Sequence, residues 1–495
     1  MKSFFLLLLG CLFISAQRSP AQPIRLHPDN GHYFLFRGKP TALITSGEHY
    51  GSVLNLDFDY LPYLDELHTH GLNYTRIFTG AYVEIPGSFN IQKNTLAPLP
   101  NRFLAPWKRS DTPGYANGGN RFDLNQWDEA YFQRLRDFVS QASKRGIVVE
   151  VTLFSSLYVD NGWKYSPLHP ANNVNQTDSP DRKQVQTLNN GNLLGYQEKM
   201  VRKIVQGLKS FDNVFYEIQN EPWADRGNDL GLAVTQPEKE ANMPWQRKVE
   251  VADPASLEWQ RRIAFCIQNE ENSLSNKHLI AQNVANFRAK ADQPDPGVSI
   301  FNFHYAHPQA VTENYALNKV IGFDESGFAG SSDSVYRQQA WRFMLSGGGL
   351  FNSLDYSFTT ERANGTDKQQ APGGGSTALR SQLKVLKDFL FSFDFVRMKP
   401  DSVGEPAITL TSEQPRTKAY GLAQPGKAYA VYFEGGGHCE AAVELPAGKY
   451  REEWMDPQTG RIAKRSVVKH PGGKYQVKSP DYADDIALRL VRTGR

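Results

Sequence analysis

The chain has 495 residues, 40% hydrophobic and 22% charged, with a formal net charge of +3. That length holds a barrel of roughly 250–400 residues and one smaller module rather than a single ordinary domain. A near-neutral balance, with no basic run interleaved with aromatics, excludes nucleic acid as an implied partner. Past the N-terminus no segment is apolar enough to span a membrane.

Residues 1–21 read as an export leader. Lys2 precedes an apolar stretch that runs from Phe4 through Ile14, and small residues follow with candidate cleavage points after Ala16 or Ala21. The stretch is too short for a permanent membrane helix. Leu8-Leu9-Gly10-Cys11 resembles a lipoprotein cleavage box, but Leu12, Phe13 and Ile14 prolong the apolar run and argue against lipid attachment. The expectation is an exported protein, periplasmic or secreted. Cys11 leaves with the leader. Cys266 lies in a helical pattern and Cys439 near the C-terminal end, so both are expected as buried free thiols rather than a disulfide.

Residues 24–36 alternate apolar and polar side chains around Asn30-Gly31, the pattern of a β-hairpin. From Thr41 onward, short apolar strands alternate with amphipathic helices, which signals a parallel sheet. Strands are expected at residues 42–45, 74–78, 147–154, 214–219, 279–282, 299–303, 320–323 and 350–354. Eight such units fit a (β/α)8 TIM barrel over residues 22–395, the hairpin included. An open doubly wound sheet would show a glycine-rich phosphate turn, and none is present. Two connections after strands, residues 79–126 and 155–190, are long enough to be functional rim loops. Tyr82, Trp107, Tyr115, Trp163 and Tyr165 on them are candidates to wall a cleft. Residues 396–495 lose the helical pattern and alternate short strands with Pro/Gly turns, as an antiparallel β-sandwich does. The run Gly435-Gly436-Gly437 is expected to turn a hairpin there. Packing against the barrel is the favoured role of this module over glycan binding.

Two strand ends carry candidate chemistry. Phe215-Tyr216-Glu217-Ile218-Gln219-Asn220-Glu221-Pro222-Trp223 runs an apolar strand straight into Asn-Glu-Pro at the fourth strand end. A carboxyl group there sits among apolar walls that favour a proton donor. Val320-Ile321-Gly322-Phe323-Asp324-Glu325-Ser326-Gly327 repeats the pattern at the seventh strand end. Because side chains alternate along a strand, only one of Asp324 and Glu325 is expected to face the centre. Two carboxyl groups roughly 5–5.5 Å apart support retaining glycoside chemistry, and roughly 6.5–9.5 Å supports inverting chemistry. Glu217 lies deeper on the same face, and Glu150 reads as a buried structural residue. Glu48-His49 follows the first strand, where substrate contact and a loop role are both open. Paired histidines (His304 with His307, His68 with His70) lack a metal-binding helix or Cys/His cluster, so neither metal nor other cofactor is expected. No Gly-x-Ser-x-Gly elbow supports a serine hydrolase.

With Asn220-Glu221 ending strand four and Glu325 ending strand seven, residues 35–390 resemble the clan A glycoside hydrolases, the cellulase-like barrel superfamily. The resemblance implies a retaining glycosidase acting on a β-linked oligo- or polysaccharide. Glu221 would be the acid/base, Glu325 the nucleophile, and Asn220 the ligand of the hydroxyl beside the reacting carbon. It also implies Arg76 near the nucleophile and either His304 or Tyr305 bonded to it. Trp223, Trp163, Glu48 and His49 complete the expected substrate-binding set. Two positions depart from the cellulase pattern: His304 and Tyr305 are adjacent, and Tyr356 stands where a tryptophan commonly ends strand eight. A non-hydrolytic carbohydrate-binding barrel and a transglycosylase are the alternatives; oligomeric state is left open.

Overall fold

The computed structural model describes residues 22–494 except 233, 235–242, 275–276, 405 and 412–416; the expected leader and Cys11 lie outside the described residues. Eight parallel strands surround one core: β1 (Leu43–Gly47), β2 (Tyr74–Phe78), β3 (Val148–Ser155), β4 (Val214–Asn220), β5 (Ile280–Asn286), β6 (Ile300–His304), β7 (Val320–Ser326) and β8 (Leu350–Leu354). Their ladders run in the order β1-β8-β7-β6-β5-β4-β3-β2. A side chain bridges the remaining seam between β1 and β2. Asn73 accepts from the Ile44 amide at 2.9 Å and donates to the Ala42 carbonyl at 2.9 Å. The connecting helices pack apolar faces onto the strands, as in Glu129–Lys144, which buries Phe132, Leu135, Phe138 and Val139 beneath an Asp128 cap.

β5 and β7 run beyond their expected ends, to Asn286 and Ser326. Their late residues are polar, so no apolar alternation marks them, yet each is paid off inside the barrel; Asn283 donates to Glu217 at 2.7 Å. The N-terminal hairpin is a three-stranded meander, Arg25–His27, Asn30–Phe36 and Lys39–Thr41. Its second turn, at Arg37-Gly38, uses left-handed backbone at both residues (φ 50° and 76°). Ile24, Phe34 and Phe36 plug the lower end of the barrel against Tyr74, Val148, Phe215, Ile300 and Leu350. Only the upper end, where the strands finish, is left for a ligand.

The first long connection is not structureless: it folds back as an antiparallel pair, Trp107–Pro113 with Asn120–Trp127. The C-terminal region is a sandwich of two sheets. One joins Lys399–Pro400, Lys418–Gln424, Ala428–Glu434, Asp485–Arg492, Gly448–Met455 and Ile462–His470 in that spatial order. The other joins Ile408–Leu410, Glu440–Leu445 and Gly473–Lys478. Val431, Phe433, Trp454 and Leu488 from the first meet Val443 and Val477 from the second. The glycine run is therefore not a hairpin turn. The strands on its two sides belong to different sheets, and Gly435 and Gly436 (φ 79° and 81°) carry the chain across. The module docks on the barrel through Trp341 stacked on Tyr432 at 5.3 Å and Arg337 bonded to Asp485 at 2.9 Å.

Candidate active site

β4 delivers Asn220 to the mouth, and Glu221 follows in left-handed backbone (φ 46°, ψ 53°) before Pro222 begins a short helix. That conformation turns the side chain out of the strand's alternation and over the barrel axis. Two bonds hold it: the Glu221 amide donates to Asn283 Oδ1 at 2.9 Å, and its carbonyl accepts from Ser156 Oγ at 2.6 Å. β7 uses a different device. Phe323 pairs with Phe303 but Glu325 pairs with His304, so Asp324 and Glu325 together oppose one residue. The bulge cancels the expected alternation. Both carboxylates point inward, Asp324 below toward Asn283 (3.0 Å) and Arg76 (3.5 Å), Glu325 above into the mouth.

Glu221 and Glu325 converge. One oxygen of each and the His304 Nδ1 lie within 4.8 Å of one another. The Tyr305 hydroxyl reaches both, 3.1 Å from Glu325 Oε1 and 3.4 Å from Glu221 Oε1. Tyr158 donates to the other Glu221 oxygen at 2.8 Å. Tyr50 and Arg76 Nη1 each lie 3.2 Å from the other Glu325 oxygen. Between His304 and Tyr305, the tyrosine makes the hydrogen bond to Glu325; His304 Nδ1 is 2.9 Å from Glu221 and 3.6 Å from Glu325. Arg76 is bidentate to Glu217 (2.6 and 2.7 Å) and also holds Asn220 Oδ1 at 2.8 Å. Glu217 and Glu150 are both sealed beneath the pair, fully buried. Glu150 is held by Tyr74 and by Asn302 at 2.9 Å, and burial pushes its pKa well above the carboxylate range.

Burial would raise Glu221, but the hydrogen bond and charge of His304, with help from Tyr158 and Arg76, bring it below its ordinary value. Glu325 goes the other way: burial raises it, the neighbouring Glu221 adds to that, and the His304, Arg76 and His49 cations offset only part. Burial would lower His304, yet the charges of Glu325 and Asp324 and its bonds to Asp324 and Glu221 lift it well above 6.5. His304 is wedged between three carboxylates, which favour its protonated form.

The pair lies in a cavity of about 280 Å³. Asn220, Trp223, Tyr305 and His49 of the expected set line it, with Glu221 and Glu325. Arg76 and His304 sit directly behind that lining. Trp163 does not reach it; the ring is buried against His169. Glu48 is also withdrawn, its carboxylate taken by Ser52 (2.5 and 3.0 Å) and Thr95 (2.6 Å). Of the other loop aromatics, Trp107 and Tyr115 pack in the core, and Tyr82 stands behind Tyr158 and Phe78. The walls are instead Tyr50, Phe78, Phe89, Tyr158, Trp245 and Phe328, together with Glu84. Tyr50, Phe89, Tyr158, Glu221, Tyr305 and Phe328 all have φ between 46° and 66°, a concentration of unfavourable backbone typical of functional sites. Trp245, in the single turn Pro244–Arg247, carried no periodic signal that could have marked it.

Among the described residues, two clusters have the spacing to hold a metal ion: Glu221, His304 and Glu325 above, Glu150, Glu217 and Asp324 below. In the second, Arg76 already supplies the cation, so that donor set does not suit a divalent ion as it stands.

The fold is shared with solved glycoside hydrolase structures. A solved glycoside hydrolase superposes with a TM-score of 0.62 at 14% identity, over 96% of this chain and 97% of the other. A glycoside hydrolase family 5 structure from Bacteroides vulgatus gives 0.61 at 12% identity, over 95% and 93%. No protein-family model matches the sequence, and no curated protein matches it.

Proposed function

We propose that the protein is an exported retaining glycoside hydrolase that cleaves a β-linked oligo- or polysaccharide by double displacement. The observation that carries this reading is the approach of Glu221 and Glu325 to within 4.8 Å around one tyrosine hydroxyl, on the floor of an aromatic-walled cavity. An approach that close supports the retaining spacing of roughly 5–5.5 Å over the wider inverting one. The leader pattern supports export, and the clan resemblance supports the β-linkage.

In the first step the Glu325 carboxylate attacks the anomeric carbon. The bond to the leaving oxygen breaks, and that oxygen takes a proton from Glu221. In the second, water attacks the same carbon and gives its proton to Glu221, and the sugar–Glu325 bond breaks. Tyr50, Arg76 and Tyr305 aim Glu325, while Asn220, held by Arg76, offers its amide near the sugar. In the free protein the catalytic proton is placed on His304, whose charge and hydrogen bond hold Glu221 low, while burial and the charge of Glu221 hold Glu325 high. A sugar seated over the pair strips water from Glu221, and the 2.9 Å hydrogen bond lets the proton cross to it. Once Glu221 is neutral it no longer raises Glu325, and Arg76 keeps the nucleophile ionised; the two titrate as a pair.

The test is a panel of aryl β-glycosides. Hydrolysis should proceed with retained configuration by NMR, vanish in Glu325→Ala, and return as glycosyl azide when azide is added. A protein that binds these sugars without any turnover is a carbohydrate-binding barrel instead.

A further inference from the structure

The two sides of the carboxylate pair are built differently. On the Glu325 side the cavity ends at His49, Glu84 and Leu96. Behind them, residues 88–96 of the loop after β2 cross the barrel mouth and are stitched to the loop after β8. The Gln92 amide donates to the Gln370 carbonyl at 3.1 Å, and the Lys93 amide to Gln369 Oε1 at 2.6 Å. Lys93 Nζ adds ion pairs to Glu361 at 2.8 Å and Asp367 at 2.9 Å. Underneath, the Glu84 amide donates to the Leu96 carbonyl at 2.8 Å, and Thr95 bonds Glu48 at 2.6 Å. Gly51 lies so close to this strap that a Cβ there would meet the Thr95 carbonyl oxygen at 2.3 Å. Thr95 and Leu96 are fully buried. That end is packed protein.

On the Glu221 side the cavity runs past Trp245 and Glu250 to Met243, an exposed residue, and among the described residues nothing closes it as the strap does. Phe89 and Phe328 meet edge to face at 6.2 Å, as an arch between the two halves. The proton donor must face the departing oxygen, so the leaving portion of the substrate lies on the Glu221 side. The sugar that is attacked lies on the closed side. There, Glu84 and His49, 3.3 Å apart, are the groups placed to bind its hydroxyls. The cavity, about 280 Å³, falls at the foot of the range for small-ligand sites, roughly 300–1,000 Å³.

We infer that the protein works from chain ends, releasing the terminal sugar at the non-reducing end one residue at a time. This rests on the hydrolase reading above. Each event breaks the bond between the terminal anomeric carbon and its bridging oxygen; water supplies the hydroxyl to the carbon and the proton to the oxygen.

The experiment compares 4-nitrophenyl β-monoglycosides with the matching 4-nitrophenyl β-biosides, following nitrophenol and free sugars from the first seconds. The expected result is immediate nitrophenol from the monoglycoside of the preferred sugar. The bioside should yield free monosaccharide first, and nitrophenol only after a lag. Nitrophenol released from biosides without a lag, with free disaccharide as the first sugar product, overturns end-directed action while the hydrolase reading stands. Release from no glycoside overturns both.

Discussion

Arg76→Met tests the electrostatic design of the site. Arg76 has no exposed side-chain surface and lies within 3.5 Å of Glu217, Asp324 and Glu325. Its guanidinium also bonds Asn220 and Thr152. Methionine fills much of the same volume but leaves buried carboxylates without their cation. Breaking a buried ion pair from one side costs about 3–5 kcal/mol, a large part of the roughly 5–15 kcal/mol that keeps a protein folded. The double variant Arg76→Met/Glu217→Gln removes the charge that lost its bidentate partner. It should cost less than the sum of the single changes, by a coupling of about 0.5–3 kcal/mol. Guanidinium unfolding followed by tryptophan fluorescence measures all three. A single Arg76→Met variant unfolding at the wild-type midpoint, or a double variant losing the full sum, would refute the assignment of Arg76 as the cation this cluster needs.

Other outcomes follow from the same geometry. Glu221→Ala should lower kcat/KM about 10²–10⁴-fold on glycosides with basic leaving groups, and much less on nitrophenyl glycosides, whose leaving oxygen needs little protonation; equal losses on both would remove Glu221 as the acid. The carboxylates around His304 shift its proton loss to a pH well above 6.5, so the alkaline fall in the wild-type rate should lie above that value, and on the acid side the rate should fall as Glu325, raised by burial, takes up a proton. His304→Gln leaves Glu221 without its proton reserve, and the alkaline limb should move to lower pH; an unmoved limb would contradict the proton route. Burial raises both Cys266 and Cys439 to about 11, so neither should react with Ellman's reagent at pH 8 until denaturant is added. Ending the chain at residue 395 uncovers Trp341, fully buried beside Tyr432. Light scattering should show aggregation, and a soluble, active barrel would count against the packing role.

The barrel was legible because its strands are short, largely apolar runs set between helices. The spans of Tyr74–Phe78 and Leu350–Leu354 can be read directly, since every residue in them is buried. Legibility fails where burial and apolarity part company. Asn283 prolongs β5 past its expected end as a polar residue whose partners, Glu217 and Asp324, lie inside the barrel. Ile462–His470 lies largely in solvent with only sparse apolar residues, so its alternation is too weak to announce a strand. The two carboxylates could be placed at strand ends from sequence. The bulge that turns both Asp324 and Glu325 inward could not, because it depends on which residues of β6 they face. Trp163 illustrates the converse: an aromatic on a polar loop looks free to meet a ligand, but this loop packs into the main core and the ring is used there.

The six left-handed residues around the cavity bear on how this protein could be made hardier. Away from glycine, such backbone costs about 1–2 kcal/mol at each position. Glycine at Phe89, Tyr158 or Phe328 adopts that geometry freely and relieves the strain, but each such change deletes an aromatic wall and its packing, roughly 1.5–3 kcal/mol for a fully buried ring. Robustness and selectivity are set against each other at the same backbone atoms, and only replacements elsewhere can improve one without eroding the other.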